Sequence, residues 1–269
     1  NKTVTTAMQA DATYVANAVA TINLNELSEN DYTVTIQGIE ATVTAQSTTT
    51  FDDFLVYDSS DVNTNHHLVD KIKSVIDAQH TASNSDFDGV WSVEAYTNSL
   101  VIKRTSGTNA FVSDYTQPTG TPLGFTITAK GGVGNVGIDV FQDNVRDAAD
   151  LPAESFDGHR VKIVNTNSTD DDYYLEFEAF DGTRGKGYWK ESVARDVSPG
   201  LDASTMPYQL ENTGATTFTF GPITWKDRQV GDDISNAPPS FIGHKLTCSF
   251  FYANRFGVLS EDNVFFGVA

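Results

Sequence analysis

Paired carboxylates are the residues of this chain whose type and spacing best suit catalysis, because two acids that flank a sugar bond can hydrolyse it. Glu176 and Glu178 lie two residues apart, and Asp232 is adjacent to Asp233. Residues two apart on a strand share one face, where carboxylates are usually solvated charges. The sequence contains no Gly-x-Ser-x-Gly, His-Glu-x-x-His or Gly-x-x-x-x-Gly-Lys-Ser/Thr motif. We therefore expect no catalytic residues and no enzymatic activity.

Three kinds of short stretch resemble parts of cofactor or metal sites. Residues 132–137 read Gly-x-Gly-x-x-Gly, but a lone match without alternating strands and helices favours a flexible interdomain joint over a dinucleotide loop. The pair at 66–67, His-His, has no second ligand pair at metal spacing, which favours a solvated face. Residues 86–89 and 170–172 lack the twelve-residue calcium pattern and favour polar turns. These patterns predict no cofactor and no metal site.

Aromatic residues leave a second function open. Trp189, Trp225 and several tyrosines could form a platform for sugar rings, although packing in cores and interfaces accounts for such residues more often. A sugar platform would indicate a glycan-binding or glycan-degrading module that acts on the cell envelope. A secreted adhesin fragment is a third class that the sequence leaves open.

Composition limits the remaining classes. The 269 residues are 39% hydrophobic and 11% aromatic, which is enough for one large core or two modest ones. The 36 acids outnumber the 17 bases, so the net charge is -19, and such a surface has few groups that can neutralise phosphates. No apolar run approaches the roughly 20 residues of a membrane helix. Cys248, the single cysteine, excludes an internal disulfide and is predicted to be a buried thiol.

Helical and strand periods alternate along the first half of the chain. Residues 12–19 and 68–76 carry apolar side chains at helical spacing, which predicts two amphipathic helices. Alternating apolar and polar residues predict hairpins at 32–43 and 91–102 and a single strand at 125–127. This order indicates a domain at residues 1–140, an α+β module of two helices on a mainly antiparallel sheet.

Strand patterns and long loops fill residues 141–269, which predicts a second, all-β domain. Near its end, four residues fall on one side of a two-residue period, which predicts a strand with that face buried: Leu246, Cys248, Phe250 and Tyr252. Turn residues at 253–257 and 260–263 then continue the chain into an antiparallel β-meander. The predicted second domain is thus β-rich, has long loops and ends in a meander.

The turns and strands of this meander contain an ordered motif, Asn-Arg-x-Gly-x-Leu-Ser-x-x-Asn-Val, which follows an Asn-Ala-Pro-Pro-Ser-Phe run at 236–241. Its residues are Asn254, Arg255, Gly257, Leu259, Ser260, Asn263 and Val264. The motif resembles one in the tail tubular protein B family, also called the nozzle protein, of short-tailed double-stranded DNA bacteriophages. Shorter matches follow the family in order at residues 1–4, 150–152, 157–158, 161–163, 172–174, 200–208 and 225–233.

The resemblance implies a structural virion protein of the phage tail, made in the cytoplasm of the bacterial host. It implies a β-rich protein whose second region is an all-β, propeller-like antiparallel structure. It also implies a homo-oligomer, a hexameric ring below the tail adaptor ring, that docks tail fibres and forms the channel for DNA ejection. Family members are longer than this chain, so we expect it to be a middle fragment.

Two hypotheses join the residues to this role. An arginine within a glycine-containing turn can satisfy several acceptors with its planar guanidinium, so we expect Arg255 to anchor turn carbonyls or a carboxylate. The resemblance implies a channel that the genome crosses, and the acidic composition adds the prediction that this conduit repels the DNA backbone, so that genomic DNA passes without tight binding.

Overall fold

The structure is a computed structural model, and it describes residues 4–9, 18–25, 30–36, 38–45, 55–57, 65–81, 90–96, 98–106, 124–165, 172–195 and 197–267. The chain forms two compact units. The central unit is Val15–Lys190, and the terminal unit combines Asn1–Tyr14 with Glu191–Ala269. The predicted boundary between residues 140 and 141 falls inside a strand of the central unit.

The central unit contains most of the regular structure. Its elements, in chain order, are β1 (Val19–Leu24), β2 (Asp31–Ile36), β3 (Ile39–Thr44), β4 (Leu55–Tyr57), β5 (Asn65–His67), α1 (Leu68–Thr81), β6 (Val90–Ala95), β7 (Ser99–Ser106), β8 (Ile127–Lys130), β9 (Ile138–Phe141), β10 (Asn144–Val145), β11 (Glu154–Phe156), β12 (Arg160–Ile163), β13 (Tyr173–Ala179) and β14 (Arg184–Ser192). They form sheets in the orders β6-β7-β1-β9, β3-β2-β8, β10-β12-β13-β14-β11 and β4-β5.

One core joins helix α1 to two antiparallel sheets. Leu68, Ile72 and Ile76 of α1 are buried, as their helical spacing predicts, and they share a core with Ile22 of β1 and Val34 of β2. The hairpins β2–β3 and β6–β7 pair in antiparallel register, which confirms both predicted hairpins. Gly38, at φ +81°, provides the tight turn between β2 and β3.

The predicted fold class is wrong in its first half. Among the described residues α1 is the one α-helix, and Val19, the last residue of the other predicted helix, begins strand β1. Residues 11–17 lie outside the described part of the chain. Strand β1 pairs with β7 on one side and β9 on the other, and nearly all of its residues are buried. A strand covered on both faces shows continuous apolar character, which a short window cannot separate from a helix.

The second half of the fold-class prediction is also wrong. β10 pairs with β12 in parallel, so this sheet is mixed rather than purely antiparallel. The described sheets after residue 141 contain five, two and three strands and do not repeat the four-stranded blade of a propeller. Strand β9, which crosses the predicted boundary between residues 140 and 141, pairs with β1, a partner distant in sequence.

The glycine-rich run at 132–137 is a compact turn between β8 and β9 of the central unit rather than a joint between two units. The Gly137 N–H donates to the Gly131 carbonyl at 2.8 Å. A Cβ atom on Gly132 would lie 2.7 Å from the Cα of Gly137, so the turn has no room for a side chain there. Close backbone contact accounts for Gly132, and a positive φ of +67° accounts for Gly134.

The terminal unit contains five strands, β15 (Tyr208–Asn212), β16 (Phe218–Pro222), β17 (Leu246–Tyr252), β18 (Arg255–Ser260) and β19 (Asn263–Phe266). β15 and β16 form a two-stranded hairpin, and β17-β18-β19 is the predicted meander. Met206, Phe241 and Val258 are the centre of its core. Thr6 attaches the N-terminal segment, since its Oγ1 donates to the Phe241 carbonyl at 2.6 Å.

No helix among the described residues has the length and apolar character needed to cross a membrane. Within the same residues, no group of three or more His, Cys, Asp or Glu side chains is arranged to hold a metal ion.

Candidate interaction surface

The two faces of the meander have different surroundings. Antiparallel pairing of Ser249, Val258 and Phe265 places these residues on one face, and Val258 and Phe265 pack on the core of the terminal unit. The pairs Tyr252–Arg255, Phe250–Gly257–Phe266 and Cys248–Leu259–Val264 define the other face. We call this set of eight residues the meander face. Four motif residues, Arg255, Gly257, Leu259 and Val264, therefore lie on it.

Most of the meander face is open to solvent: five of its eight residues are exposed, Phe250 and Leu259 are half-buried, and Gly257 is buried. The prediction that Leu246, Cys248, Phe250 and Tyr252 form one buried face is wrong: Cys248 is exposed and Tyr252 is 70% exposed. Of these four, Leu246 alone packs against the core, because a β-bulge between Leu246 and Cys248 shifts the register. Both faces of the meander are apolar, so the two-residue period alone could not identify which one the core covers. The uncovered face retains Val264 and Phe266 as further exposed apolar side chains.

The turn between β17 and β18 positions Arg255. Ala253 and Asn254 both have positive φ, +48° and +62°, as a two-residue hairpin turn requires, and asparagine tolerates this conformation well. Arg255 follows directly and is exposed. Its guanidinium makes no hydrogen bond or ion pair with the described residues. The structure thus leaves this cation available on the meander face.

The remaining motif residues form the turn between β18 and β19. Ser260 is buried, and its hydroxyl donates to the Lys245 carbonyl at 3.2 Å. Glu261 adopts φ +49° in the turn, and Asn263 begins β19 opposite Ser260. Nδ1 of His244 lies 2.8 Å from Oε1 of Glu261. Ser260 therefore ties the meander to the chain that precedes it, which is a structural role.

The hairpin β15–β16 presents a second apolar face. Its register pairs Leu210 with Phe220, Tyr208 with Pro222 and Asn212 with Phe218, so these side chains share one side. We call Tyr208, Leu210, Phe218 and Phe220 the hairpin face; these residues are between 42% and 70% exposed. Glu211 pairs with Thr219 on the opposite side. The hairpin face itself therefore carries no charge.

A groove connects the hairpin face to the beginning of the meander. It has a volume of about 540 Å³, and Tyr208, Phe220, Leu246 and Cys248 are among its lining residues. All of them belong to the terminal unit. The groove, which Thr205, Thr247 and Ser249 also line, thus links the exposed apolar side chains of the two faces.

The carboxylate pairs do not converge on a common point. Glu176 accepts from Nε of Arg160 at 2.7 Å, and Glu178 accepts from Nζ of Lys190 at 2.5 Å. The Lys190 ammonium, with a second hydrogen bond from Tyr188, holds the pKa of Glu178 below its usual range. Each acid is thus paired with a base of its own, as in a structural ion pair.

The two tryptophans of the predicted sugar platform pack with other side chains. Nε1 of Trp189 donates to the Pro152 carbonyl at 2.8 Å, and its ring lies edge-on to Phe177 in the central unit. Trp225 contacts Phe256 in the terminal unit. Since they belong to different units and pack against local partners, they provide no observation in favour of the glycan-binding alternative.

A family model of the bacteriophage nozzle protein matches residues 1–269. The chain belongs to the bacteriophage nozzle protein family. A curated relative, the tail tubular protein gp12 of Escherichia phage T7, is 28% identical over 150 residues, which is 55% of this chain and 18% of that protein. The match therefore spans less than a fifth of the T7 protein's length.

Among the segments that resemble the nozzle family, residues 225–233 contain an anchor that sequence reasoning missed. The Arg228 side chain is only 9% exposed. Its Nε and Nη2 donate to the Ser198 carbonyl at 3.0 and 2.6 Å, and Nη1 donates to Oδ1 of Asp233 at 2.8 Å and to the Asn236 carbonyl at 2.9 Å. Arg228 thus makes the contacts with turn carbonyls and a carboxylate that were predicted for Arg255. Its position among turn residues, directly after Asp227 and a few residues before Asp232 and Asp233, was the available signal.

The adjacent acids of this segment, Asp232 and Asp233, make different contacts. Oδ1 of Asp232 accepts the N–H groups of Ile234 and Ser235, at 2.9 and 2.7 Å, and so closes a turn. Asp233 pairs with Arg228. These contacts explain the Asp232–Asp233 pair without catalysis.

The other sequence-predicted positions lie apart from this surface. Residues 66–67 form the end of β5, directly before α1, rather than the start of a helix. Residues 86–89 and 170–171 lie outside the described part of the chain. Asp172 forms an ion pair with Lys162 at 2.7 Å, which, with the N–H of Asn165, lowers the pKa of Asp172.

Proposed function

We propose that this chain is part of the tail nozzle subunit of a short-tailed phage and a structural component of the virion tail. The match of the nozzle family to residues 1–269 is the observation that carries the proposal. The similarity to a tail tubular protein of phage T7 supports the same role. In this proposal the protein is made in the host cytoplasm and then incorporated into the tail.

The finer part of the proposal is the assembly. Six subunits form a ring below the tail adaptor ring, the ring provides docking positions for tail fibres, and its channel conducts the genome during ejection. The exposed apolar side chains of the hairpin face and the meander face support assembly, because exposed apolar patches of this kind mark protein contacts. The role is structural rather than enzymatic, in agreement with carboxylates that are paired locally.

The net charge of -19 supports a conduit that does not hold DNA. Affinity for duplex DNA comes largely from lysine and arginine contacts to phosphates. A ring of six such chains would repel the phosphate backbone, so that a long polyanion can move through without being retained.

Electron microscopy of the natural full-length protein tests the proposal. Ring particles with six-fold symmetry and a central channel are the expected result. A protein that remains monomeric, or that forms closed particles without a channel, would contradict it.

A further inference from the structure

The hairpin face and the meander face are both aromatic and nearly free of charge, on a protein whose net charge is -19. The hairpin face has no charged residue, and Arg255 is the single charged residue of the meander face. Two copies of an acidic chain repel each other over most of their surfaces. The electrostatic repulsion between two copies is smallest where both surfaces lack acids. The hairpin face and the meander face are therefore the favoured surfaces for contact.

The hairpin itself indicates that a partner covers it. Isolated two-stranded hairpins are marginally stable in water, and a third strand or a covering layer is usually needed. The sheet order gives β15 and β16 no third strand among the described residues. An uncharged face of Tyr208, Leu210, Phe218 and Phe220 on such a hairpin is suited to burial against another apolar layer.

The exposed apolar area of the two faces is about as large as the apolar part of one protein–protein interface. The two faces include five rings that are 42–70% exposed: Tyr208, Phe218, Phe220, Tyr252 and Phe266. If each ring offers about 200 Å² when fully exposed, these rings present roughly 600 Å² in total. A standard interface buries roughly 1,200–2,000 Å² in all, of which somewhat more than half is apolar. The two faces together therefore provide the apolar part of a small standard interface.

We infer that the hairpin face of one copy of this chain packs against the meander face of the next copy. The contact is heterologous, because two different patches of the same unit meet, and repetition of such a contact generates a ring when the rotation between neighbours closes. Arg255 then lies against the aromatic hairpin face of the neighbour, where a guanidinium is stabilised by ring faces. This inference rests on the proposed function, and it adds the surfaces through which neighbouring subunits touch.

Association of the 269-residue chain, measured by sedimentation velocity at low and high salt, tests the inference. Salt screens the like charges, so association should increase with salt and with protein concentration. Phe220→Asp on the hairpin face and Tyr252→Asp on the meander face should each weaken association at least about tenfold. Arg255→Ala should weaken it while the melting temperature stays unchanged.

Two matched controls separate the surface from the added charge. Thr219→Asp adds the same charge on the opposite side of the same hairpin, and Phe180→Asp replaces an exposed ring of the central unit. Both should associate as the unchanged chain does. Equal weakening by either control would overturn the inference.

A mixture of the two damaged variants gives the sharpest result. In a heterologous contact, Phe220→Asp retains an intact meander face and Tyr252→Asp retains an intact hairpin face. The mixture should therefore form mixed dimers at concentrations at which each variant alone remains monomeric, which also shows that both variants are folded. Failure to form mixed dimers would overturn the heterologous contact.

The exposed thiol of Cys248, which lines the groove, reports which molecule covers the surface. Its maleimide labelling should be fast in the monomeric 269-residue chain and slow only when the chain associates. If the natural full-length protein protects this thiol as a monomer, a segment of the same chain is the occupant and the inference fails. Six-fold rings that form normally from the full-length Phe220→Asp variant would also overturn the inference while leaving the proposed function intact.

Discussion

The ring of Phe250 lies directly over the backbone of Gly257 on the neighbouring strand. The two residues are cross-strand partners, and a Cβ atom on Gly257 would be 2.5 Å from Cζ of Phe250. Gly257 does not have a positive φ, so space rather than backbone conformation requires glycine at this position. Phe250 also meets Phe266 edge-on, at 5.5 Å between ring centroids. Gly257 of the nozzle motif thus leaves the space that the Phe250 ring occupies on the meander face.

Gly257→Ala should destabilise the terminal unit by about 1–3 kcal/mol, because the added methyl group overpacks the contact and displaces the Phe250 ring. Chemical denaturation of the 269-residue chain measures this change. In a Phe250→Ala background the same substitution should cost much less, since the clash is gone. Equal costs in the two backgrounds would show that the ring is not the reason for the glycine.

Arg228→Ala should lower the free energy of unfolding by about 2–3 kcal/mol. The substitution leaves the carbonyls of Ser198 and Asn236 and the carboxylate of Asp233 without their charged donor. Arg228→Lys should recover little of this loss, since one ammonium cannot span the same acceptors.

Arg255→Ala is the matched control for Arg228, because its guanidinium has no partner among the described residues. Its effect on the free energy of unfolding should stay within about 0.5 kcal/mol, as for most surface substitutions. A large loss of stability from Arg255→Ala, with a small one from Arg228→Ala, would reverse the assignment of the anchoring role.

Asp181 should make the central unit less stable in acid. The N–H groups of Arg184 and Thr183, together with the Thr183 hydroxyl, lower the pKa of Asp181. Because the pKa is depressed in the folded state, the stabilisation is complete above the unfolded pKa, about 4. It is lost as pH falls through the lower, folded pKa.

Asp181→Asn should therefore lower the melting temperature at pH 7 and have little effect once the pH is below the folded pKa of Asp181. Asparagine retains an oxygen that can accept the turn N–H groups, so the comparison isolates the charge. Asp262→Asn, in an exposed turn of the terminal unit, corrects for the removal of one negative charge from an acidic protein. A pH-independent difference between Asp181→Asn and this control would refute the charge effect.

Duplex DNA should not bind this chain with a dissociation constant below about 1 μM, even at low salt, because that would exceed the ordinary non-specific range. Fluorescence anisotropy with labelled duplex measures the binding. Tight, salt-sensitive binding would require a concentrated basic patch and would contradict the conduit that repels DNA.

Residues that are close together in sequence determined much of the secondary structure of this protein. The apolar stripe of α1, the hairpins at β2–β3 and β6–β7, the turn at Gly38 and the three strands of the final meander were all readable from period and turn residues. The family resemblance could also be recognised from the sequence, because the residues of the nozzle motif lie close together along the chain. Each of these features depends on neighbours within a few positions.

Tertiary structure decided the features that depend on distant partners. Val19 continues a helical spacing in the sequence, yet β1 is a strand because β7 and β9 pair with both of its edges. Both faces of the meander are apolar, and the core formed by Met206 and Phe241 determines which one is buried. The positions of distant carbonyls likewise decided which contacts Arg228 and Arg255 make. Any arginine can donate several hydrogen bonds, but its sequence position does not show which acceptors lie near it.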